Sequence, residues 1–480
     1  MSKIKTNIIY NLGYQIFILI IPLITAPYLS RVLGVEGIGT YSYVSSVAYY
    51  FFLLITLGLN NYGNRCIAKC EKTKERLGKT FCSIYAMQLS FGVLILSLYV
   101  LYIMVFAESQ YKIFFILYIP YIISAVIDIN WFYYGLTDFK FTTIRSIIVR
   151  LISLIFIFLL VRNKNDLPFY FLIMSLTFIF NNILLWPRLK KYVVYQKPNF
   201  HDVVIHIKPN LVLFVPVLAI SIYRVMDKIM IKELAGILEN GYYENADKII
   251  TMALTGFSAV ATVMMPSVSI LVAKGEDKKI KSLLRDSMQI CMALGIGMMF
   301  GLIAISRQFA PLFFGKEYYE TGVLIQLLSV TVVISGWKVV LKSQYLIPYE
   351  KDKVYVISLV AGAVVNVICN LYFIPIYADR GAVIGTIIAE ITGFIIQTFA
   401  TSHDLKISIM IKDALLFVPA GIVMCIIAEY IIIKIPGVLG MMISIAIGII
   451  VYSLISYLLM MICNKKRFLY IVNTYIKRMC

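Results

Sequence analysis

The stretch IYRVMDKIMIKELAGILENGYYENADKIITM, residues 222–252, carries nine charged side chains at the point where two long apolar runs meet. The rest of the chain is poor in charge: 61% of its 480 residues are hydrophobic and 14% are charged. A typical soluble domain has about 25% charged residues. Apolar runs near the ~20-residue length that crosses a bilayer recur along the whole chain. The composition therefore predicts an all-α integral membrane protein and excludes a water-soluble one.

Fourteen apolar runs are long enough to cross a bilayer. They begin near residues 8, 42, 80, 112, 143, 168, 209, 243, 287, 321, 354, 381, 413 and 438. If the N-terminus is cytoplasmic, the inner segments hold 30 of the 44 Lys and Arg residues and the outer segments hold nine. This asymmetry follows the positive-inside rule. It predicts about 14 transmembrane helices with both termini cytoplasmic, and it explains the net charge of +19 without a nucleic acid partner.

An earlier stretch of the chain is similar to the opening one. The segment LIIPLITAPYLSRVLGVEGIGTYSYV begins at Leu19, and LFVPVLAISIYRVMDKIMIKELAGILENGYYENA begins at Leu213. Pro22 aligns with Pro216, and both segments continue through Arg-Val to a glycine-rich turn that ends in tyrosine. Both copies enter the membrane from the predicted cytoplasmic side. The similarity therefore indicates a parallel internal duplication.

The duplication predicts two lobes of six helices each, as in many alternating-access transporters. Their predicted bounds are 1–200 and 201–403, and two further helices with a cytoplasmic tail occupy 404–480. Prolines in the first helix of each lobe would kink it and free backbone groups. These prolines are Pro22, Pro27 and Pro216.

Five basic residues fall inside predicted spans, where a charge at the bilayer centre costs about 2.5–3.5 kcal/mol. Such side chains should face protein or water. We predict a cationic cavity between the lobes whose ligand is an anion, most simply a phosphate-bearing head group. In the alternative interpretation, these long side chains reach the membrane interface. The five residues are Arg150, Arg224, Lys228, Lys248 and Lys338.

Acidic residues accompany these cations. Asp227 and Asp247 would partly neutralise the cavity, and the outer connection at 232–244 is predicted to be a long acidic loop. Three lone carboxylates in apolar runs are candidates for proton or sodium coupling, or for a paired structural role. They are Asp128, Glu390 and Glu429. The cysteines and histidines show no metal-site spacing, so we predict no metal and no cofactor.

Five segments extend through most of the chain in a recognisable order: LSRVLGVEGIGTYSY (29–43), INWFYYGLTDFKFTTIRSIIVR (129–150), DKIMI (227–231), GYYENADKI (241–249) and SQYLIPYEKDK (343–353). With these segments the sequence resembles the Wzx-type oligosaccharide-lipid (O-antigen) flippases of the polysaccharide transporter family. That family belongs to the multidrug/oligosaccharidyl-lipid/polysaccharide superfamily, which also holds multidrug extruders and the lipid II flippase.

The resemblance implies a V-shaped pair of six-helix lobes, like that of the multidrug extruders. It implies that the chain flips undecaprenyl-pyrophosphate-linked repeat units to the outer leaflet of the plasma (inner) membrane for O-antigen or capsule synthesis. A polysaccharide polymerase and a chain-length regulator would be partners. By motif it assigns Arg31 to the cavity beside four of the basic residues above, with Lys338 and Glu390 as weaker matches.

Three other functions stay open at this stage. An organic-cation antiporter of the same superfamily would need a cavity dominated by carboxylates. A flippase for lipid II or a teichoic acid precursor would share the cationic cavity. A membrane-bound polymerase or glycosyltransferase would need a sizeable domain outside the membrane, and no predicted loop exceeds about 22 residues. We therefore predict a transporter and not an enzyme.

Overall fold

The computed structural model describes the backbone of residues 3–479. Side chains are described over the same range apart from a few short segments. These are 3–12, 14–16, 18–19, 223, 259, 262–263 and 464–479. The basic residues of the two termini, which contribute to the predicted orientation, thus lie outside the described side chains. Within the described backbone every regular element is helical.

The first half of the chain forms twelve α-helices. A π-helical turn at Ile222–Met226 joins the last two of these helices. The helices are α1 Lys3–Thr56, α2 Leu59–Lys69, α3 Lys74–Val105, α4 Lys112–Leu117, α5 Ile119–Val126, α6 Asn130–Gly135, α7 Phe139–Leu160, α8 Leu167–Ile183, α9 Trp186–Leu189, α10 Phe200–Val204, α11 Ile207–Ser221 and α12 Asp227–Leu234.

The second half forms nine further α-helices and a second π-helical turn at Lys342–Leu346. The helices are α13 Ile237–Ala273, α14 Asp277–Phe314, α15 Tyr319–Leu328, α16 Val330–Leu341, α17 Asp352–Tyr377, α18 Asp379–Thr401, α19 Ile407–Leu415, α20 Val418–Lys434 and α21 Val438–Met479.

By length and composition, eleven helical segments among the described residues could cross a membrane. The number becomes twelve if the pair Lys316–Leu328 and Val330–Leu346, bent by 43°, is one span. The prediction of a multi-pass helical membrane protein is therefore confirmed. The count of fourteen stays a prediction, because Ile20–Lys69 passes as one segment although the sequence predicts two spans there.

The two copies of the repeat break at equivalent positions. Gly34, inside α1, has φ 70° and ψ −180°, and it is the non-helical residue at which two helices meet. Gly236, between α12 and α13, has φ 128° and lies 202 residues further along. A positive φ is easily adopted only by glycine. The break in α1 is thus at Gly34, and the kinks at Pro22, Pro27 and Pro216 stay predictions.

A reciprocal close contact joins the two copies within the first half of the chain. A Cβ at Gly39 would lie 2.1 Å from the carbonyl oxygen of Ile237, and a Cβ at Gly241 would lie 2.2 Å from that of Val35. Both pairs of equivalent positions differ by 202 in number. The Asn240 amide adds a hydrogen bond to the Gly39 carbonyl, at 2.9 Å. The contact is therefore built from the same residues of each copy.

The chain divides into two compact units, residues 1–241 and 242–480. This division falls some forty residues after the lobe boundary predicted between 200 and 201. The predicted bounds follow the repeat, whereas the units follow packing, so the bounds 1–200, 201–403 and 404–480 stay a prediction.

Candidate functional site

Arg224 lies in the middle of the π-helical turn that follows α11, and its side chain is exposed. Turns of this kind inside helices occur often at functional sites. The guanidinium is within electrostatic range of the Tyr49 hydroxyl on α1. Among the described residues it has no hydrogen bond or ion pair. Its charge is therefore available to an anionic ligand.

Arg150 occupies the middle of α7 and is half-buried. Within the described part of the chain its guanidinium also has no acidic partner. Arg31 on α1 is exposed, and Lys228 on α12 is half-buried; both of these take part in polar or electrostatic interactions. All of these predicted basic residues belong to the first unit.

Asp227 follows the π-helical turn directly and is buried, with 1% of its surface exposed. It lies within electrostatic range of Tyr50, whose hydroxyl donates to the Ser221 carbonyl oxygen at 3.1 Å. The turn therefore places a buried acid close to the exposed Arg224. The role of Asp227 in partly balancing the cations stays a prediction.

In the second unit, Lys338 on α16 pairs with Glu390 on α18. The distance between Nζ and Oε2 is 2.6 Å, and both side chains are largely buried. The Ser335 hydroxyl also donates to Glu390 Oε2, at 2.9 Å. Glu390 is therefore not a lone carboxylate, as the sequence suggested, because its partner lies on another helix. The Lys338 charge is balanced, which makes it a weaker candidate for substrate binding.

We expect Glu390→Leu to destabilise the protein strongly, because it leaves the buried Lys338 ammonium without its carboxylate. Breaking one side of a buried pair costs about 3–5 kcal/mol, whereas replacing both members by apolar residues is often neutral. The double variant Lys338→Met/Glu390→Leu should therefore recover most of the loss. Melting temperatures of the purified variants measure this. A double variant no more stable than Glu390→Leu would contradict the pairing.

Lys248 and Glu244 form a second pair, one turn apart on α13. Nζ lies 3.1 Å from Oε1, and Glu244 is the more buried of the two. The adjacent Asp247 is half-buried and also takes part in an interaction. The acid-before-base order at this spacing is the favourable one on a helix. The pair is thus local to one helix, and a role of Lys248 in substrate binding stays a prediction.

Asp128 lies in the break between α5 and α6 and is buried. It accepts hydrogen bonds from the backbone and side-chain nitrogens of Asn130, at 2.8 and 2.7 Å. The Asn130 amide oxygen in turn accepts from Arg145 Nη2 at 3.1 Å. Asp128 therefore belongs to a buried polar network rather than standing alone. Sequence reasoning missed Arg145 because it fell in a segment predicted to be a cytoplasmic loop.

A cluster around the buried Lys232 side chain was also missed. The ammonium pairs with Glu108 and, at 3.1 Å, with Glu233, which also accepts from the Tyr43 hydroxyl at 2.8 Å. The rings of Tyr43 and Tyr111 lie 4.5 and 5.1 Å from the ammonium. The hydrogen bond from Lys232 lowers the pKa of the Glu108 carboxyl. Lys232 therefore connects α12 to the loop before α4.

The long acidic loop predicted at 232–244 is wrong. The helix α12 continues to Leu234 and α13 begins at Ile237, so the connection is only two residues. The positive φ of Gly236 permits this tight turn. Glu244 is buried rather than exposed. Three charged residues of this stretch, Lys232, Glu233 and Glu244, are thus engaged in ion pairs.

Glu429, the remaining candidate for ion coupling, is exposed on α20, and its carboxylate lies 3.8 Å from the Cys425 thiol.

The segment 343–353, one of the segments that carry the family resemblance, joins two loops of the second unit. Lys351 Nζ and the Tyr345 hydroxyl both donate to Asp404, at 2.7 and 2.5 Å, and these bonds lower the pKa of that carboxyl. These contacts hold the loop before α17 against the loop before α19.

The long apolar helices define the class of this protein, which is a multi-pass helical membrane protein. The family model of the polysaccharide biosynthesis proteins matches residues 4–272, more than half of the chain, so the chain belongs to that family. The family model of the lipid II flippase MurJ matches residues 146–460.

Individual proteins agree with this assignment. The chain is 23% identical over 376 residues to a protein of Shigella dysenteriae named as an O-antigen transporter, with 77% of this chain and 93% of that protein covered. The resemblance to Wzx-type flippases is therefore confirmed. Since the relatives are named as transporters and flippases, the prediction of a transporter rather than an enzyme is also confirmed.

Two solved structures show the same fold. The lipid II flippase MurJ in its inward closed conformation gives a TM-score of 0.77 at 16% identity, covering 95% of this chain and 98% of that one. An inward-facing transporter of the multidrug resistance MATE family gives 0.59 at 15% identity, covering 83% and 95%. The predicted fold class is confirmed by these similarities.

Proposed function

We propose that this protein flips undecaprenyl-pyrophosphate-linked oligosaccharide repeat units from the cytoplasmic to the outer leaflet of the plasma membrane. It would do so by alternating access, for the synthesis of O-antigen or capsule. Family membership and the similarity to a protein named as an O-antigen transporter support this proposal. Both termini would be cytoplasmic, and a polysaccharide polymerase and a chain-length regulator would act on the flipped product.

One observation carries the choice of an anionic substrate. Arg150 and Arg224 have no acidic partner among the described residues. Guanidinium groups bind phosphate with two parallel hydrogen bonds, so a pyrophosphate is a suitable ligand for them. In this proposal Arg31 and Lys228 complete the basic surface of the first unit, and Lys248 and Lys338 are secondary contacts.

The acids argue against an organic-cation antiporter. A cationic substrate needs carboxylates that are not already paired and can therefore bind it. Glu390 already accepts from Lys338 and Ser335, and Asp128 accepts from Asn130. Glu390 and Asp128 thus support a structural role better than a role in binding a cation.

The membrane potential can drive the proposed transport without a coupling ion. Moving one elementary charge across 100 mV is worth about 2.3 kcal/mol. A pyrophosphate diester with about two negative charges would gain roughly 4–5 kcal/mol per 100 mV on leaving a negative interior. We therefore propose that transport depends more on Arg150 and Arg224 than on Asp227, Asp247, Glu390 or Glu429. Coupling to H⁺ or Na⁺ is the alternative.

A second candidate substrate is lipid II or a related cell-wall precursor. The match of the MurJ family model to residues 146–460 favours it. Such a precursor also carries a lipid-linked pyrophosphate, so the same arginines would bind it. The two candidates differ in the sugars and therefore in the polymer that depends on transport.

Deleting the gene tests the proposal. We expect surface polysaccharide to be lost and its lipid-linked repeat unit to accumulate, with growth and drug sensitivity unchanged. The lipid-linked repeat unit and lipid II are both measured by extraction and mass spectrometry, with the complemented strain as control. Accumulation of lipid II with loss of growth would favour the second candidate. Unchanged lipids with higher drug sensitivity would contradict a flippase and indicate an antiporter.

A further inference from the structure

A groove lies on the first unit, and none of the basic residues discussed above lines it. Its cavity volume is about 710 Å³, within the roughly 300–1,000 Å³ range of ligand-binding pockets. Residues 81–89 of α3 form one wall, and the end of α8, the short helix α9 and the segment 192–198 form the other. The side chains used below are Phe81, Tyr85, Ala86, Leu89, Trp186 and Lys190.

The walls of this groove are held in place by contacts of the aromatic side chains that line it. The Trp186 indole donates to the Ile127 carbonyl oxygen at 3.0 Å, and its ring meets the Tyr85 ring edge-on with centroids 4.9 Å apart. Phe81 stacks on Tyr85 with centroids 5.6 Å apart. The groove is therefore formed before any ligand enters it.

The segment 192–198 is held across the start of α3. The Val194 amide donates to the Lys74 carbonyl oxygen at 3.4 Å. A Cβ at Gly78 would lie 2.1 Å from the Val194 carbonyl oxygen, so a side chain there would push the segment away. The groove runs along the face of α3 that carries Phe81, Tyr85 and Leu89. Leu89 on that face is 42% exposed, as expected for a residue that faces lipid.

The charges around the groove select its ligand. Residues 187–208 hold five Lys and Arg but one acid, Asp202, which lies 3.7 Å from Lys79. Arg188 is already paired with Asp138 at 2.8 Å. Lys190 lines the otherwise apolar groove, and its exposed ammonium has no partner among the described residues. An apolar groove with one such ammonium is suited to a lipid that has both an acyl chain and a phosphate.

We propose that this groove binds one anionic phospholipid of the bilayer, with an acyl chain along α3 and the phosphate at Lys190. The segment 187–208 is predicted to face the cytoplasm, and the cytoplasmic leaflet is the one rich in anionic lipids. Basic pockets between membrane helices on that side are known to bind lipid head groups. The site does not depend on which substrate the protein carries.

Native mass spectrometry of the purified full chain tests the site with two lipids that share acyl chains, phosphatidylglycerol and phosphatidylcholine. We expect one phosphatidylglycerol to be retained preferentially. Lys190→Glu should weaken its binding by about tenfold or more, because a charge near the surface is reversed. Ala86→Trp should fill the groove and remove binding of both lipids there. Lys278→Glu, at an exposed lysine on α14, is the matched control and should bind as the wild type does.

Three results would overturn the proposal. The first is equal retention of the two lipids by the wild type. The second is unchanged phosphatidylglycerol binding in Lys190→Glu, which alters an exposed side chain and should fold normally. The third is displacement of phosphatidylglycerol by undecaprenyl phosphate at lower concentration, which would assign the groove to a carried lipid instead.

Discussion

Alanine at Gly39 or at Gly241 is expected to destabilise the protein by about 1–3 kcal/mol each, the usual cost of overpacking a close contact. The added methyl carbon would lie 2.1 or 2.2 Å from a backbone carbonyl oxygen of the other repeat copy. A backbone atom cannot rotate away as a side chain can. The part of α1 that follows Gly34 and the start of α13 must therefore separate. Melting temperature and transport should both fall.

Gly256→Ala is the matched control for this prediction. It lies on α13, and a Cβ there would meet nothing within 4 Å. Alanine inside a helix is favoured over glycine by roughly 0.5–1 kcal/mol, so this variant should be neutral or slightly more stable. The double variant Gly39→Ala/Gly241→Ala should cost less than the sum of the single changes, because both act on one contact. Wild-type stability in either single variant would contradict the reciprocal contact.

Replacing Arg150 or Arg224 by Gln should reduce transport by about 10- to 100-fold. A hydrogen bond to a charged group contributes about 1.5–3 kcal/mol, and each 1.4 kcal/mol is a factor of ten. Protein stability should change little, because neither guanidinium has an acidic partner among the described residues. Lysine at either position should restore only part of the activity, because it keeps the charge but not the planar donor geometry.

Two controls separate this effect from a general loss of charge. Arg76→Gln removes an exposed arginine at the start of α3 that lies 4.0 Å from Glu71, and it should transport normally. Glu390→Gln removes a carboxylate charge but leaves a group that can still accept from Lys338. Loss of transport in Glu390→Gln equal to that in Arg224→Gln, with stability unchanged, would indicate ion coupling through Glu390.

Much of the fold could be predicted from the sequence. The apolar runs predict where helices occur, since each of the fourteen predicted starts lies in or beside a helix of the structure. The similarity between the segments at Leu19 and Leu213 also predicted equivalent positions correctly. Gly34 and Gly236 break their helices at the same offset as the contacting pair Gly39 and Gly241.

Charge pairing between different helices could not be predicted, because it depends on which helices pack together. Lys338 and Glu390 lie in separate apolar runs, and nothing local indicates that they meet. Lys232 was counted in an outer loop, yet it is buried beside Tyr43 and Glu108 because α12 continues further than the charges suggested. The sequence indicates only the local placement of Arg150 and Arg224 along the chain, not how the surrounding helices pack. The basic site therefore stays a prediction.

Binding of undecaprenyl pyrophosphate without sugars tests the central claim most directly. The affinities of the wild type, Arg150→Gln/Arg224→Gln and Arg76→Gln are compared in lipid nanodiscs. We predict that the wild type and Arg76→Gln bind equally and that the double variant binds at least about tenfold more weakly. Equal binding by all three proteins would contradict the account, because the two arginines would then not hold the pyrophosphate.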